Sequence, residues 1–226
     1  MTSPMIQLKG VRYCYGEVCA IEGMDVSITP NTLAALIGPN GGGKSTMIKL
    51  IAGLLRPEAG QVLVGGRGVG YVSQAPDFDL SFPATVREVV RMGTLSARVR
   101  PFARYTAAQK RAADEAMERV GITDVAHRGI SQLSGGQLRR AMIARALASG
   151  SDVIVLDEPD AGLDIDAAAE LYSVLGTLKA DKTILAASHH VDAILDIADT
   201  ALYVLKTART YRPDDLRQKL KAGLRI

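Results

Sequence analysis

Tryptophan is missing from this chain, phenylalanine occurs three times, and aromatic residues make up only 4% of it. Without large rings the interior must be filled with aliphatic side chains. At 226 residues and 47% hydrophobic, the chain can bury a sizeable core as one domain. No apolar run approaches the ~18 residues that would span a bilayer as a helix. The opening residues, Met1-Thr2-Ser3-Pro4-Met5, lack the basic-then-apolar order of a secretory leader, so none is expected. Cysteine is confined to Cys14 and Cys19, with no His/Cys cluster around them. That argues against a zinc site and predicts two reduced thiols in a cytoplasmic protein. Charge of one sign is scarce as well. The balance of 27 basic and 24 acidic residues leaves +3, too mild to make nucleic acid a partner. Internal repeats and low-complexity segments are absent too. The expectation is a soluble, globular, cytoplasmic protein.

What the chain does have is glycine in a particular order. Gly38-Pro39-Asn40-Gly41-Gly42-Gly43-Lys44-Ser45-Thr46 fits the pattern G-x-x-x-x-G-K-[ST]. An apolar run, Leu33–Ile37, precedes it and a helical pattern from Met47 follows, which is the strand, loop and helix context the motif needs. Glycines without side chains let backbone N–H groups turn inward around phosphate oxygens, and the helix N-terminus adds partial positive charge. Lys44 would reach the β- and γ-phosphates, and the Ser45 hydroxyl would ligate Mg²⁺. The motif predicts a nucleoside triphosphate site.

The rest of the chain supplies a frame for that loop. Ile6–Tyr13 and Met24–Ile28 alternate apolar and polar residues, as half-buried strands do, and Gln61–Val64 and Val69–Gln74 read as further strands. Residues 75–135 change character and predict a mostly helical lobe inserted between strands. Thr85 can cap a helix over Val86–Arg91, Thr106–Val120 is amphipathic, and Arg98–Arg104 reads as a solvated basic loop. Ser134, with Gln137 three residues on, makes a capping box for a helix over Leu138–Leu147. Val153–Leu156 is apolar on both faces, as a central parallel strand would be, and ends in Asp157-Glu158. Sites in such sheets lie at the carboxyl ends of strands. Asp157 would emerge beside the phosphate loop to hold Mg²⁺ through its waters, with Glu158 facing an attacking water. Asp166–Leu178 predicts a helix. Thr183–Ser188 is another buried strand with His189-His190 at its end, followed by a helix (Val191–Ile197) and a final strand (Thr200–Leu205). The tail, residues 206–226, carries seven basic and two acidic residues and reads as solvated, with a short helix from Pro213.

Five elements in this order resemble the ATP-binding subunit of ABC transporters, over roughly Ile6 to Leu205. They are the phosphate loop, Gln74 after a strand, Leu133-Ser134-Gly135-Gly136-Gln137, the strand ending Asp157-Glu158-Pro159, and His189 at a strand end. The combination is highly specific. The resemblance implies an α/β fold: a P-loop core with a mixed, mainly parallel sheet and flanking helices, an antiparallel β subdomain and the inserted helical lobe, residues 1–226 forming one nucleotide-binding domain. It implies ATP held by Gly38, Asn40, Gly41, Gly43, Lys44, Ser45 and Thr46, with Tyr15 stacked on adenine. Ser45, Gln74 and Asp157 would hold Mg²⁺. Catalysis would fall to Lys44, Gln74, Glu158 as general base and His189 at the γ-phosphate.

Ser134, Gly135 and Gly136 match the signature that caps the γ-phosphate of ATP held by an opposite subunit, and Asp164 the aspartate that couples the two sites. Physical logic agrees, because a helix N-terminus in the lobe is an anion site far from its own Lys44. It is useful when a second subunit supplies the phosphate. The expected partners are therefore a second ATPase subunit sandwiching two ATP, a membrane permease and a solute-binding protein, at the cytoplasmic face of the membrane. A narrower likeness, Tyr71–Gln74 with Asp79–Val86 and Val89–Gly93, points to the manganese, zinc and iron importer branch. An exporter ATPase and a soluble non-transport ABC ATPase are the alternatives.

The chain departs from the family pattern at three places. The stretch between Gln61 and Gln74 is short, His190 stands where an acidic residue is usual, and Asp160 replaces a common aromatic.

Overall fold

Strands with no exposed face set the plan of the molecule. The computed structural model describes residues 3–74, 79, 82–95 and 104–223. The elements run β1 (Ile6–Tyr15), β2 (Val18–Ile28), β3 (Leu33–Ile37), α1 (Lys44–Ile51), β4 (Ala59–Val64), β5 (Val69–Val72), α2 (Val86–Met92) and α3 (Ala107–Arg119). They continue with α4 (Gly135–Ala148), β6 (Val153–Asp157), α5 (Ile165–Leu178), β7 (Thr183–Ala187), α6 (Val191–Ile197), β8 (Thr200–Leu205), β9 (Thr207–Tyr211) and α7 (Pro213–Lys221). Every residue of β3, β6 and β7 is buried.

These strands lie inside a six-stranded sheet of order β5-β6-β7-β3-β8-β9, parallel except for β9, which runs antiparallel to β8. Successive side chains point to opposite faces, so each central strand feeds two cores. Ala35, Ile37, Ile154, Leu156 and Ile184 pack with α2 through α6. Ala34, Leu36, Val153, Val155 and Leu185 pack with α1 and with a separate antiparallel sheet of order β2-β1-β4. Between β5 and β6 the described residues carry α2, α3 and α4 and no further strand, with Thr85 and Thr106 closing capping boxes at the starts of α2 and α3. No helix among the described residues is long and apolar enough to cross a membrane.

Four expectations need correction. Cys14 and Cys19 are not reduced thiols but a disulfide. Irregularities in the β1–β2 ladder shift its register until these residues stand directly opposite each other, a juxtaposition that a compartment argument cannot see. Strand β8 is not the last, because β9 continues the sheet. The tail beyond Leu205 is also more than solvated decoration. Leu216 on α7 is fully buried, and Arg217 reaches Asp192 and Asp196 of α6. Finally, the second strand of the chain begins at Val18, well before the Met24 that the alternation picks out. Of the basic loop only Arg104 lies among the described residues.

Candidate active site

The phosphate loop forms between the end of β3 and the start of α1, and it is wedged against its neighbours. A Cβ at Gly38 would come within 2.2 Å of the Val204 carbonyl oxygen. One at Gly43, whose φ is 104°, would come within 2.6 Å of the Ala20 carbonyl oxygen. Only glycine fits either place. Gly43 is the N-cap of α1, so the first-turn N–H groups of Lys44, Ser45 and Thr46 have no intrahelical acceptor and can receive an anion. Lys44 is buried and arches back over the loop, its Nζ donating to the carbonyls of Gly38 (2.8 Å) and Pro39 (2.9 Å). The third ammonium proton is the one that can serve a phosphate. Burial lowers the pKa of Lys44, and the nearby carboxylates of Glu158 and Asp157 oppose that shift.

Strand β6 brings the acidic pair to this loop. Asp157 is buried and accepts from Ser45 Oγ at 2.9 Å. Burial raises its pKa, while the Ser45 hydrogen bond works in the other direction. Glu158 has φ 49°, a left-handed conformation that costs a non-glycine residue about 1–3 kcal/mol and tends to occur where function holds it. Its backbone N–H donates to the Ala187 carbonyl of β7. Its carboxylate receives Gln74 Nε2 on Oε2 at 2.7 Å, while His189 Nε2 stands 2.7 Å from Oε1.

Tyr15, Asn40 through Thr46, Gln74, Glu158 and His189 line one open cleft of about 570 Å³, a size that suits a nucleotide. Tyr15 is 51% exposed there, set edge-on to Tyr13 with ring centroids 5.0 Å apart. The oxygens of Ser45, Asp157 and the Gln74 amide are hard donors. With Ser45 already in contact with Asp157, they fit a small hard cation that takes few protein ligands and keeps its waters.

Ser134, Gly135 and Gly136 do not line this cleft. Ser134 caps α4 and accepts from the Gln137 backbone N–H at 3.2 Å. Gly135 and Gly136 lie against Leu163 and Ala167 instead. Asp164 caps α5, accepting from the Ala167 N–H at 2.8 Å.

Two contributors carry no signal in the sequence. Arg139 of α4 donates through Nη1 to the carbonyls of Ser73 (3.0 Å) and Gln74 (2.7 Å), tying the glutamine segment to the helix that Ser134 caps. Lys206, with φ 59°, lines the cleft and donates its backbone N–H to the Gly42 carbonyl at 2.8 Å. Both contacts join residues far apart in the chain.

Comparison with known proteins finds relatives over most of the chain. Residues 21–161 match the ABC transporter family. The chain is 38% identical over 202 residues to the zinc uptake system ATP-binding protein ZurA of Listeria innocua, covering 84% of this chain and 78% of that protein. It is 36% identical over 213 residues to the manganese transport system ATP-binding protein MntA of Synechocystis sp., covering 89% and 82% respectively. Among solved structures, a metal-chelate type ABC transporter in an inward-facing conformation superposes with a TM-score of 0.86 at 26% identity, over 97% of this chain and 88% of that one.

Proposed function

This chain belongs to the ABC transporter family, and we propose that it energises import of a transition-metal ion, or its chelate, through a separate membrane permease. As a member of this family it is an ATP-binding ATPase. The observation that carries the metal reading is its likeness, over more than four-fifths of its length, to subunits named for zinc uptake and for manganese transport.

The site supports the following division of labour. Tyr15 stacks on adenine, while the loop from Gly38 to Thr46 and the Lys44 ammonium hold the phosphates. Mg²⁺, held by Ser45, Asp157 and Gln74, would neutralise charge on the β- and γ-phosphate oxygens. Glu158 orients the attacking water and accepts its proton, and His189 steadies that carboxylate and meets the γ-phosphate. Phosphoryl transfer asks a protein for positioning and charge complementarity rather than covalent chemistry, and the contacts of Gln74 and His189 with Glu158 provide positioning. Ser134, Gly135 and Gly136 serve the γ-phosphate of a second copy, so ATP joins two subunits and hydrolysis lets them part. The lobe that carries α2 and α3 docks the permease, and a solute-binding protein delivers the cargo.

Isolation of the tagged chain from detergent-solubilised membranes tests this reading. Recovery of a multi-span permease, with lowered zinc, manganese or iron content in cells lacking the pair, is the expected result. Recovery with no membrane protein at any nucleotide state would overturn the transporter reading. A permease whose loss leaves cell metal unchanged would overturn the cargo.

A further inference from the structure

Two departures from the family pattern meet in space. Asp160 and His190, thirty positions apart, lie on loops that leave the adjacent parallel strands β6 and β7. Asp160 is 3% exposed, and one of its oxygens, Oδ2, gathers three groups. Tyr172 of α5 and Ser188 each donate a hydroxyl to it at 2.8 Å, and His190 Nδ1 stands 3.3 Å away. The backbone N–H of His190 donates in turn to Ser188 Oγ at 2.9 Å. The other oxygen, Oδ1, is buried with no hydrogen-bond partner among the described residues. A buried carboxylate left half-satisfied is costly, and none of the roles assigned above calls for one here.

Its place relative to the chemistry supplies one. Ser188 and His190 are the two neighbours of His189, and Asp160 grips both. Asp160 itself follows Glu158 by two residues, and His189 Nε2 stands 2.7 Å from Glu158 Oε1. One carboxylate thus fastens the loop of the strand-end histidine to the loop of the acidic pair, and Tyr172 braces it from α5. We infer that Asp160 is a positioning residue for hydrolysis: through Ser188 and His190 it holds His189 in register with Glu158. The acid at 160 and the base at 190 work as a unit. The inference rests on the roles proposed above for Glu158 and His189.

The test uses full-length Asp160→Ala and, because removing a buried carboxylate can unfold a chain, His190→Ala as a milder cut at an exposed side chain. Each is made alone and in a His189→Ala background, then followed by single-turnover hydrolysis of MgATP. Misplacing a catalytic group by about 1 Å can cost 10²-fold. On that scale Asp160→Ala is expected to slow hydrolysis about tenfold and His190→Ala about threefold, with the Kd for ATP within about twofold of native. Neither substitution should slow His189→Ala further. Native rates in the folded single variants, or equal slowing in both backgrounds, would overturn the inference.

A second readout does not depend on turnover. The chain has three histidines, so the imidazole signals of ¹⁵N-histidine-labelled protein can be assigned one by one. The His189 resonance is expected to move in both variants, and an unmoved resonance sinks the proposal. Native hydrolysis by His189→Ala would remove the proposed role of His189 instead, and the spectrum would still decide whether Asp160 holds it.

Discussion

Glu158 carries the most chemistry per atom, with a left-handed backbone and two polar partners on its carboxylate. Removing its basicity while keeping its shape isolates that role. Glu158→Gln should lower the steady-state ATPase rate by ~10²–10⁴, the usual contribution of a general base. ATP binding, followed by a fluorescent analogue, should stay intact, and near-native turnover would take the role away. Tyr15 is a simpler case. Stacking of a base on an aromatic ring is worth about 1–3 kcal/mol, so Tyr15→Ala should raise the Kd for ATP by roughly fivefold to a hundredfold. An unchanged Kd in equilibrium titration would remove Tyr15 from the adenine site. These two residues differ in legibility. Glu158 could be read from its place at the end of an apolar run, because a carboxylate there must emerge at the sheet's ligand edge. Tyr15 needed a family likeness, since a lone tyrosine after a strand is as readily a surface or core residue.

At the scale of elements, the central strands and helix starts were legible because their signals are local. Leu33–Ile37 and Val153–Leu156 are uninterrupted apolar runs, and Thr85, Thr106 and Ser134 each carry a partner three residues on. The edge strand β9 was not legible. Its segment, Thr207–Tyr211, is short, mostly polar and at most half-buried, so it gives no apolar run, although Ala208 and Tyr211 do pack against the cores once β9 pairs with β8. The Cys14–Cys19 bridge was hidden for a related reason, since it follows from ladder register and not from spacing.

Ties between elements are equally invisible in sequence, and one has a measurable signature. Arg67, at the entry to β5, clasps Asp152 at the entry to β6, its Nη2 2.7 Å from Oδ1. The guanidinium, with a backbone N–H from Arg67, holds the Asp152 pKa down at about 2 against an ordinary 3.8. A carboxyl depressed in the folded state contributes stability that is fully present above its unfolded pKa and is lost as pH falls through the folded one. Denaturant melts should therefore show native stability eroding between about pH 4 and pH 2, and Asp152→Asn should flatten part of that slope. The same slope in the variant would mean that the clasp contributes nothing.

At the scale of the whole molecule, the placement of Ser134, Gly135 and Gly136 outside their own cleft is the feature with the widest reach. If they complete the site of a second copy, Glu158→Gln with ATP should double in mass by analytical ultracentrifugation. Gly135→Glu in the same background should then stay single, because a carboxylate would face the γ-phosphate. A Glu158→Gln protein that remains a monomer at saturating ATP would contradict the sandwich. The bracing of the phosphate loop carries a further implication, concerning the order in which the protein is made. The loop is encoded early, yet it is shaped by the carbonyl of Val204 against Gly38 and by the backbone of Lys206 on Gly42. Chains emerge N-terminus first, so these braces reach the loop only after a ribosome has passed residue 206. A nascent chain that lacks them is expected to hold ATP more weakly, so nucleotide would stabilise most the molecule whose late strands are already in place.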